Sequence, residues 1–153
     1  MLRERLSEAL KTAMKAREQR AVSTVRLILT AIKDRDIAAR SKGNTEGISD
    51  QDIFAVLQTM IRQREESIRL YEQGGRLELA QQEADEIKII EGFLPQALGE
   101  DEADAAIAAT LEEIGAQGLR DMGRAMTTLR ERYAGQMDFT KVSAKVREKL
   151  GAK

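Results

Sequence analysis

Apolar residues recur along this chain every three or four positions in seven separate stretches, the period of helices that bury one face. The first stretch, near Leu2–Glu18, sets Leu2, Leu6, Ala9, Leu10 and Ala13 on one side. The second, near Ala21–Arg40, does the same with Val22, Val25, Ile28, Leu29 and Ile32. A polar break, Ser41–Ile48, contains two glycines and an asparagine and ends the pattern. Ser49 then stands where an N-cap is wanted, with Asp50 and Asp52 in the first turn, where carboxylates meet the positive end of the helix. The third helix carries Ile53, Val56, Leu57, Met60, Ile61, Ile68 and Tyr71, interrupted by Arg64 and Ser67. Arg62–Glu66 and Glu65–Arg69 are predicted to pair across one turn on its outside, and Gly74-Gly75 to end it. A fourth helix, Leu77–Gly92, is predicted to bury Ala80, Ala84, Ile87 and Ile90.

Pro95 cannot continue that helix, so Phe93-Leu94-Pro95 reads as a domain boundary. A fifth helix follows Gly99, with Glu100, Asp101, Glu102 and Asp104 at its start and Ala103, Ile107, Leu111 and Ile114 as its apolar face. The tail holds two short helices. Leu119, Met122, Met126, Leu129 and Tyr133 mark one; after the Gly135-Gln136 turn, Phe139, Val142, Val146 and Leu150 mark the other. Gly123 sits inside the first of these patterns, where glycine costs about 1 kcal/mol relative to alanine. Such a glycine implies a close approach, either by a packed helix, the preferred account, or by a ligand's backbone. The predicted fold is therefore all-α: a four-helix bundle-like domain over residues 1–94, then a small three-helix domain over residues 95–153. A bundle as small as the second is expected to lean on a neighbour or a partner.

Composition agrees. In 153 residues the hydrophobic share is 42% and the charged share 33%, while aromatics are 3% and proline occurs once, which disfavours a β sandwich or barrel. No apolar run approaches the length that crosses a bilayer, so no membrane partner is expected. The basic, amphipathic start resembles an organelle presequence in outline, but Glu4, Glu8 and Glu18 argue against one, and a cytoplasmic, bacterial-type protein is expected. The net charge of −1 hides a zoned chain: residues 1–40 carry +5, residues 46–104 carry −10, and residues 105–153 carry +3.

The absence of cysteine removes disulfides and thiolate chemistry, and the absence of histidine removes the commonest general base and metal ligand. Ser7, Ser23, Ser67 and Ser143 all fall within helical patterns with no base to activate them, and no phosphate-cradling glycine loop occurs. Glu65, Glu66, Glu83, Asp85, Glu86 and Glu91 read as solvated helix faces, so no metal and no cofactor is expected. What remains is binding. Arg120 and Arg124 flank Gly123 one turn apart, and Lys141, Lys145 and Lys149 line one stripe of the last helix, a set suited to phosphates. Arg120, Gly123, Arg124, Lys141, Lys145 and Lys149 are the candidate RNA-binding residues, with RNA preferred over DNA as partner. Base stacking is not expected, because Tyr133 and Phe139 occupy core positions.

The tail also carries a motif set: Asp121-Met122-Gly123, Met126, Gly135-Gln136-Met137-Asp138, and Val142, Val146 and Leu150. Together with Ser23–Ile32, Gln63–Gly74 and Phe93-Leu94-Pro95 further upstream, it resembles the GatB/YqeY family over nearly the whole chain. The same tail closes the B subunit of the tRNA-dependent amidotransferase, where it is an RNA-contacting appendage and not the catalytic part. The resemblance implies a non-catalytic helical module that binds tRNA or an aminoacyl-tRNA or amidotransferase-related protein. It also implies two alternatives: an accessory role in carbon–nitrogen ligase activity with glutamine as nitrogen donor, or a protein-interaction module without RNA. Gln136 stands where the amidotransferase tail usually has lysine, and Thr127 where many relatives have glycine, which implies a weaker tRNA contact here.

Overall fold

The computed structural model describes residues 1–152, and among them it contains helices and turns but no strand. The helices are α1 (Leu2–Ala16), α2 (Gln19–Arg40), α3 (Asp50–Gln73), α4 (Leu77–Glu91), α5 (Glu100–Glu113), α6 (Met122–Tyr133) and α7 (Phe139–Gly151), with a single 3-10 turn at Leu119–Asp121. They group into two compact units, Met1–Leu94 and Pro95–Lys153.

In the first unit the core draws one narrow stripe from each helix. It holds Leu2 and Leu6 of α1, Val25, Ile28 and Ile32 of α2, Ile53, Val56, Leu57 and Met60 of α3, and Ile90 of α4. Each fully buried aliphatic side chain contributes about 1.5–3 kcal/mol relative to exposure. The stripe on α3 stops earlier than the periodicity implied. Ile61, Ile68 and Tyr71 are only half-buried, as are Ala84 and Ile87 of α4. The interrupting Arg64 is the best-buried charge of this unit's ion pairs, with 11% of its side chain exposed. Its Nε donates to Glu86 at 2.9 Å, and a terminal nitrogen donates to the Met60 carbonyl at 3.2 Å. Burial and the neighbouring Glu86 raise the pKa of Glu83, whose carboxylate lies 3.9 Å from the same Arg64 Nε. On the outside of α3, Arg69 pairs with Glu66 and Arg62 with the Thr59 hydroxyl, in place of the expected Arg62–Glu66 and Glu65–Arg69 pairs. Three- and four-residue spacings are nearly equivalent on a helix, so the sequence does not choose between them.

Turns are built by specific polar contacts. Ser49 caps α3 by accepting from the Asp52 N–H at 3.2 Å. α1 ends at Ala16, two residues before the expected Glu18, because Arg17 adopts the left-handed conformation (φ 57°, ψ 35°). The Glu18 N–H then reaches the Ala13 carbonyl at 3.0 Å, and α2 starts at once. Arg3 of α1 clamps Asp36 of α2 with two hydrogen bonds, 2.9 and 2.8 Å, and also donates to the Ile48 carbonyl. Asp36 accepts in turn from the Ile48 N–H at 2.9 Å, so one carboxylate closes the polar loop onto α1 and α2. At the other end Arg5 donates to the Gly92 carbonyl and sits over the Phe93 ring at 5.8 Å, a cation at the negative end of α4.

Two stability predictions follow from these contacts. A non-glycine residue in the left-handed region costs about 1–2 kcal/mol, so Arg17→Gly is expected to raise unfolding free energy by about 1 kcal/mol in urea melts. The Arg3 guanidinium, aided by the Ile48 N–H, holds the Asp36 carboxyl down to about 2. A carboxyl whose folded pKa is depressed stabilises fully above its unfolded value of about 4, and that contribution fades as pH falls through about 2. Asp36→Asn is therefore expected to cost about 1–2 kcal/mol at neutral pH, after allowance for solvent at the partly exposed Arg3, with the gap to wild type closing between about pH 4 and pH 2. A gap that stays constant with pH would assign the loss to packing instead.

Candidate nucleic-acid interface in the tail helices

The second unit has a core of Ile107 and Leu111 from α5, Ala125, Met126 and Leu129 from α6, and Val142, Val146 and Leu150 from α7, completed by Ala116 and Met137 from the turns. Its charge is sharply divided. α5 contains six acidic and no basic residues, whereas Gly115–Ala152 contains eight basic and four acidic ones.

The family-like motifs are first of all folding devices. Asp121 turns its carboxylate back to accept from the Gln117 N–H at 2.8 Å and the Gly118 N–H at 3.4 Å, and the Gln117 bond is the main cause that lowers its pKa. This ties the 3-10 turn to the loop before it. Arg124 donates both to Asp121 at 3.2 Å and to the Ile114 carbonyl at the end of α5 at 2.8 Å. Gly135 takes a left-handed conformation (φ 79°), which lets the Gln136 N–H close on the Tyr133 carbonyl at 2.9 Å. The Gln136 carbonyl accepts from the Leu98 N–H at 3.0 Å, Met137 drops into the core, and Asp138 caps α7 by accepting from the Thr140 N–H at 3.0 Å.

Of the six candidate residues, two are occupied internally. Arg124 holds α5 as described. Lys145 reaches Asp104 of α5 at 2.6 Å and Glu100 at 4.0 Å, and the Asp104 hydrogen bond raises its pKa. Arg132 makes a third tie of this kind, donating two hydrogen bonds to Glu113 at 2.6 and 3.0 Å. The acidic helix is thus strapped to the basic pair by three cations. Arg120, Lys141 and Lys149 are exposed, and no hydrogen bond or ion pair holds them among the described residues. Arg120 lies in the 3-10 turn, which packs against both α6 and α7.

Gly123 corrects an expectation. α6 begins at Met122, so the glycine lies in the first turn and not mid-helix, and a methyl group added there would meet nothing within 4 Å. No helix packs against it. Leu119 also departs from its pattern: at 55% exposure it is outside the core, because the 3-10 turn advances the chain by a different angle per residue than the α-helix after it. A groove of about 570 Å³ lies between α5 and α7, floored by Ile107, Met137 and Val142 and rimmed by Glu100, Asp138, Lys141 and Lys145. Its mixed rim gives no single charge preference. No three acidic side chains converge to hold a metal ion among the described residues, and none of their helices is long and apolar enough to cross a membrane.

The family model described as Yqey-like protein matches residues 3–150. The chain belongs to the YqeY-like family. That domain is related to the C-terminal region of GatB. Among curated relatives, the chain is 28% identical to "Altered inheritance of mitochondria protein 41, mitochondrial" of Pyrenophora tritici-repentis, over 97% of this chain and 81% of that protein. It is 33% identical to the proteins of the same name in Kluyveromyces lactis and Lachancea thermotolerans, over 71% of this chain and 58% and 57% of theirs. The chain therefore spans little more than half the length of the two yeast relatives. All three carry the word mitochondrial in their names.

The geometry separates straps from free cations. Lys145→Ala is expected to lower the thermal midpoint, since it unties α7 from α5, whereas Lys149→Ala leaves it unchanged. Gly123→Ala, with open space for its methyl, is expected to raise stability by up to about 1 kcal/mol. A fall on Gly123→Ala would restore the close approach that the structure lacks.

Proposed function

We propose that this YqeY-like chain is a non-catalytic helical adaptor that grips tRNA by its phosphates and works in the cytoplasm beside tRNA-charging or amidotransferase-type proteins. The reading treats Met1–Leu94 as a four-helix domain and Pro95–Lys153 as a three-helix domain that presents the RNA-facing surface. One observation carries it: on the basic helix pair α6–α7 and the 3-10 turn that leads into it, Arg120, Lys141 and Lys149 stay exposed and unpaired while Arg124, Arg132 and Lys145 are drawn into the fold. Cations that make no internal contact remain available for phosphates, and a phosphate backbone asks for little else. Gly123 adds a bare patch of backbone between Arg120 and Arg124.

The relation of the YqeY domain to the C-terminal region of GatB supports a second reading, an accessory role in a glutamine-dependent carbon–nitrogen ligase complex. It needs the same surface with a protein beside the RNA.

Titration of the full chain with bulk tRNA at two salt concentrations tests the proposal. Saturable binding at micromolar protein is expected, weakening steeply with salt. Replacing Arg120, Lys141 and Lys149 by alanine is expected to lower affinity and flatten the log–log salt slope by about one per lost phosphate contact. Absence of saturable, salt-sensitive binding would overturn it.

A further inference from the structure

A second line of free cations lies on the first helix pair. Arg26, Lys33 and Arg40 follow one another at seven-residue intervals along α2. Seven residues bring an α-helix almost back to the same side, drifting about 20° per step, so the three form a single line about 21 Å long. All three are exposed, and the line lies off the face that buries Val25, Ile28 and Ile32. No hydrogen bond or ion pair holds Lys33 or Arg40 among the described residues, and Arg26 makes only a 4.0 Å contact to the Met14 sulfur of α1.

That contact, with the Arg3–Asp36 clamp at the opposite end, shows α1 running antiparallel beside the line. The exposed side of α1 next to Met14 adds Lys11 and Lys15. Few acids counter them. Asp36 is held by Arg3 and the Ile48 N–H, and Asp34 projects about 100° away from Lys33. Glu8 pairs with Lys11 at 3.4 Å, but both side chains are about 70% exposed, a geometry worth little in water.

We propose that the outer face of α1 and α2 is a second RNA-binding surface, on which Arg26, Lys33 and Arg40 contact the phosphate backbone. It rests on the reading that this chain binds RNA, but on residues in the other unit. A protein partner would want a desolvated apolar centre within the patch. Here the exposed apolar side chains near the line are Met14, Leu27 and Ile37, each about half in solvent; Leu27 and Ile37 stand about 15 Å apart along α2 and form no common apolar centre, so a polyanion fits better.

The test compares tRNA binding by the full-length wild type, the triple variant Arg26→Gln, Lys33→Gln, Arg40→Gln, and a tail variant with Arg120, Lys141 and Lys149 each replaced by glutamine. The α2 variant is expected to bind about tenfold or more weakly at about 50 mM salt, with a salt slope flatter by about 2–3. Arg26→Lys, Lys33→Arg, Arg40→Lys should bind like wild type, and circular dichroism should show all variants folded. Wild-type binding by the α2 variant, with the tail variant weakened, overturns this surface and leaves the tail reading standing. The reverse pattern supports this surface and removes the tail from the site. If wild type binds no tRNA, both readings fall. Poly-glutamate binding more tightly than tRNA, with loss on the α2 variant, would assign the face to an acidic protein and overturn the RNA proposal.

Discussion

Each helix of this chain buries only a narrow apolar stripe, and the placement of everything else follows from that. A stripe of two to four buried apolar residues per helix is enough to draw helices together but leaves broad flanks that must be polar. Where flanks of two helices meet, opposite charges face each other across the seam. Arg3 with Asp36, Arg64 with Glu86, Arg132 with Glu113 and Lys145 with Asp104 all occupy such seams. These pairs do less to drive collapse than burial does, and each joins one particular pair of helices.

The same arrangement decides which cations remain for a partner. In the tail, acidic α5 draws Arg124, Arg132 and Lys145 toward itself, through its final carbonyl in one case and its carboxylates in the other two. What is left exposed is a smaller, more selective set than the lysine and arginine count suggests. On α2 the opposite holds. The acid beside the cationic line, Asp36, is already engaged by Arg3, and the line itself is left open to solvent.

The family motifs in the tail have a physical content that precedes any binding role. Asp121 stitches a 3-10 turn to the loop before it, Gly135 supplies a left-handed turn, Met137 fills the core and Asp138 starts α7. Gln136 anchors the turn through its backbone carbonyl, which accepts from the Leu98 N–H. Its side-chain amide adds a hydrogen bond to the Gln96 carbonyl at 3.4 Å, so backbone and side chain both tie the turn to the segment before α5.

The all-helical character, the cap at Ser49 and the helix stop before Pro95 were legible in the sequence, because they depend on local spacing and on residues whose backbone preferences act within one turn. So were the central core positions Leu6, Ile28, Leu57, Ile107, Leu129 and Val146, which any helical period would place inward. Tertiary structure alone decided the rest. Whether Arg64 is a surface charge or a buried tie depends on Glu86 standing opposite, 22 residues away. Whether Gly123 is crowded or open depends on where the neighbouring helices pass. Whether Lys145 is free for a phosphate depends on Asp104, 41 residues away. Periodicity reports which way a side chain leaves its own helix; what it meets there is set by the packing of other helices, which no local pattern records.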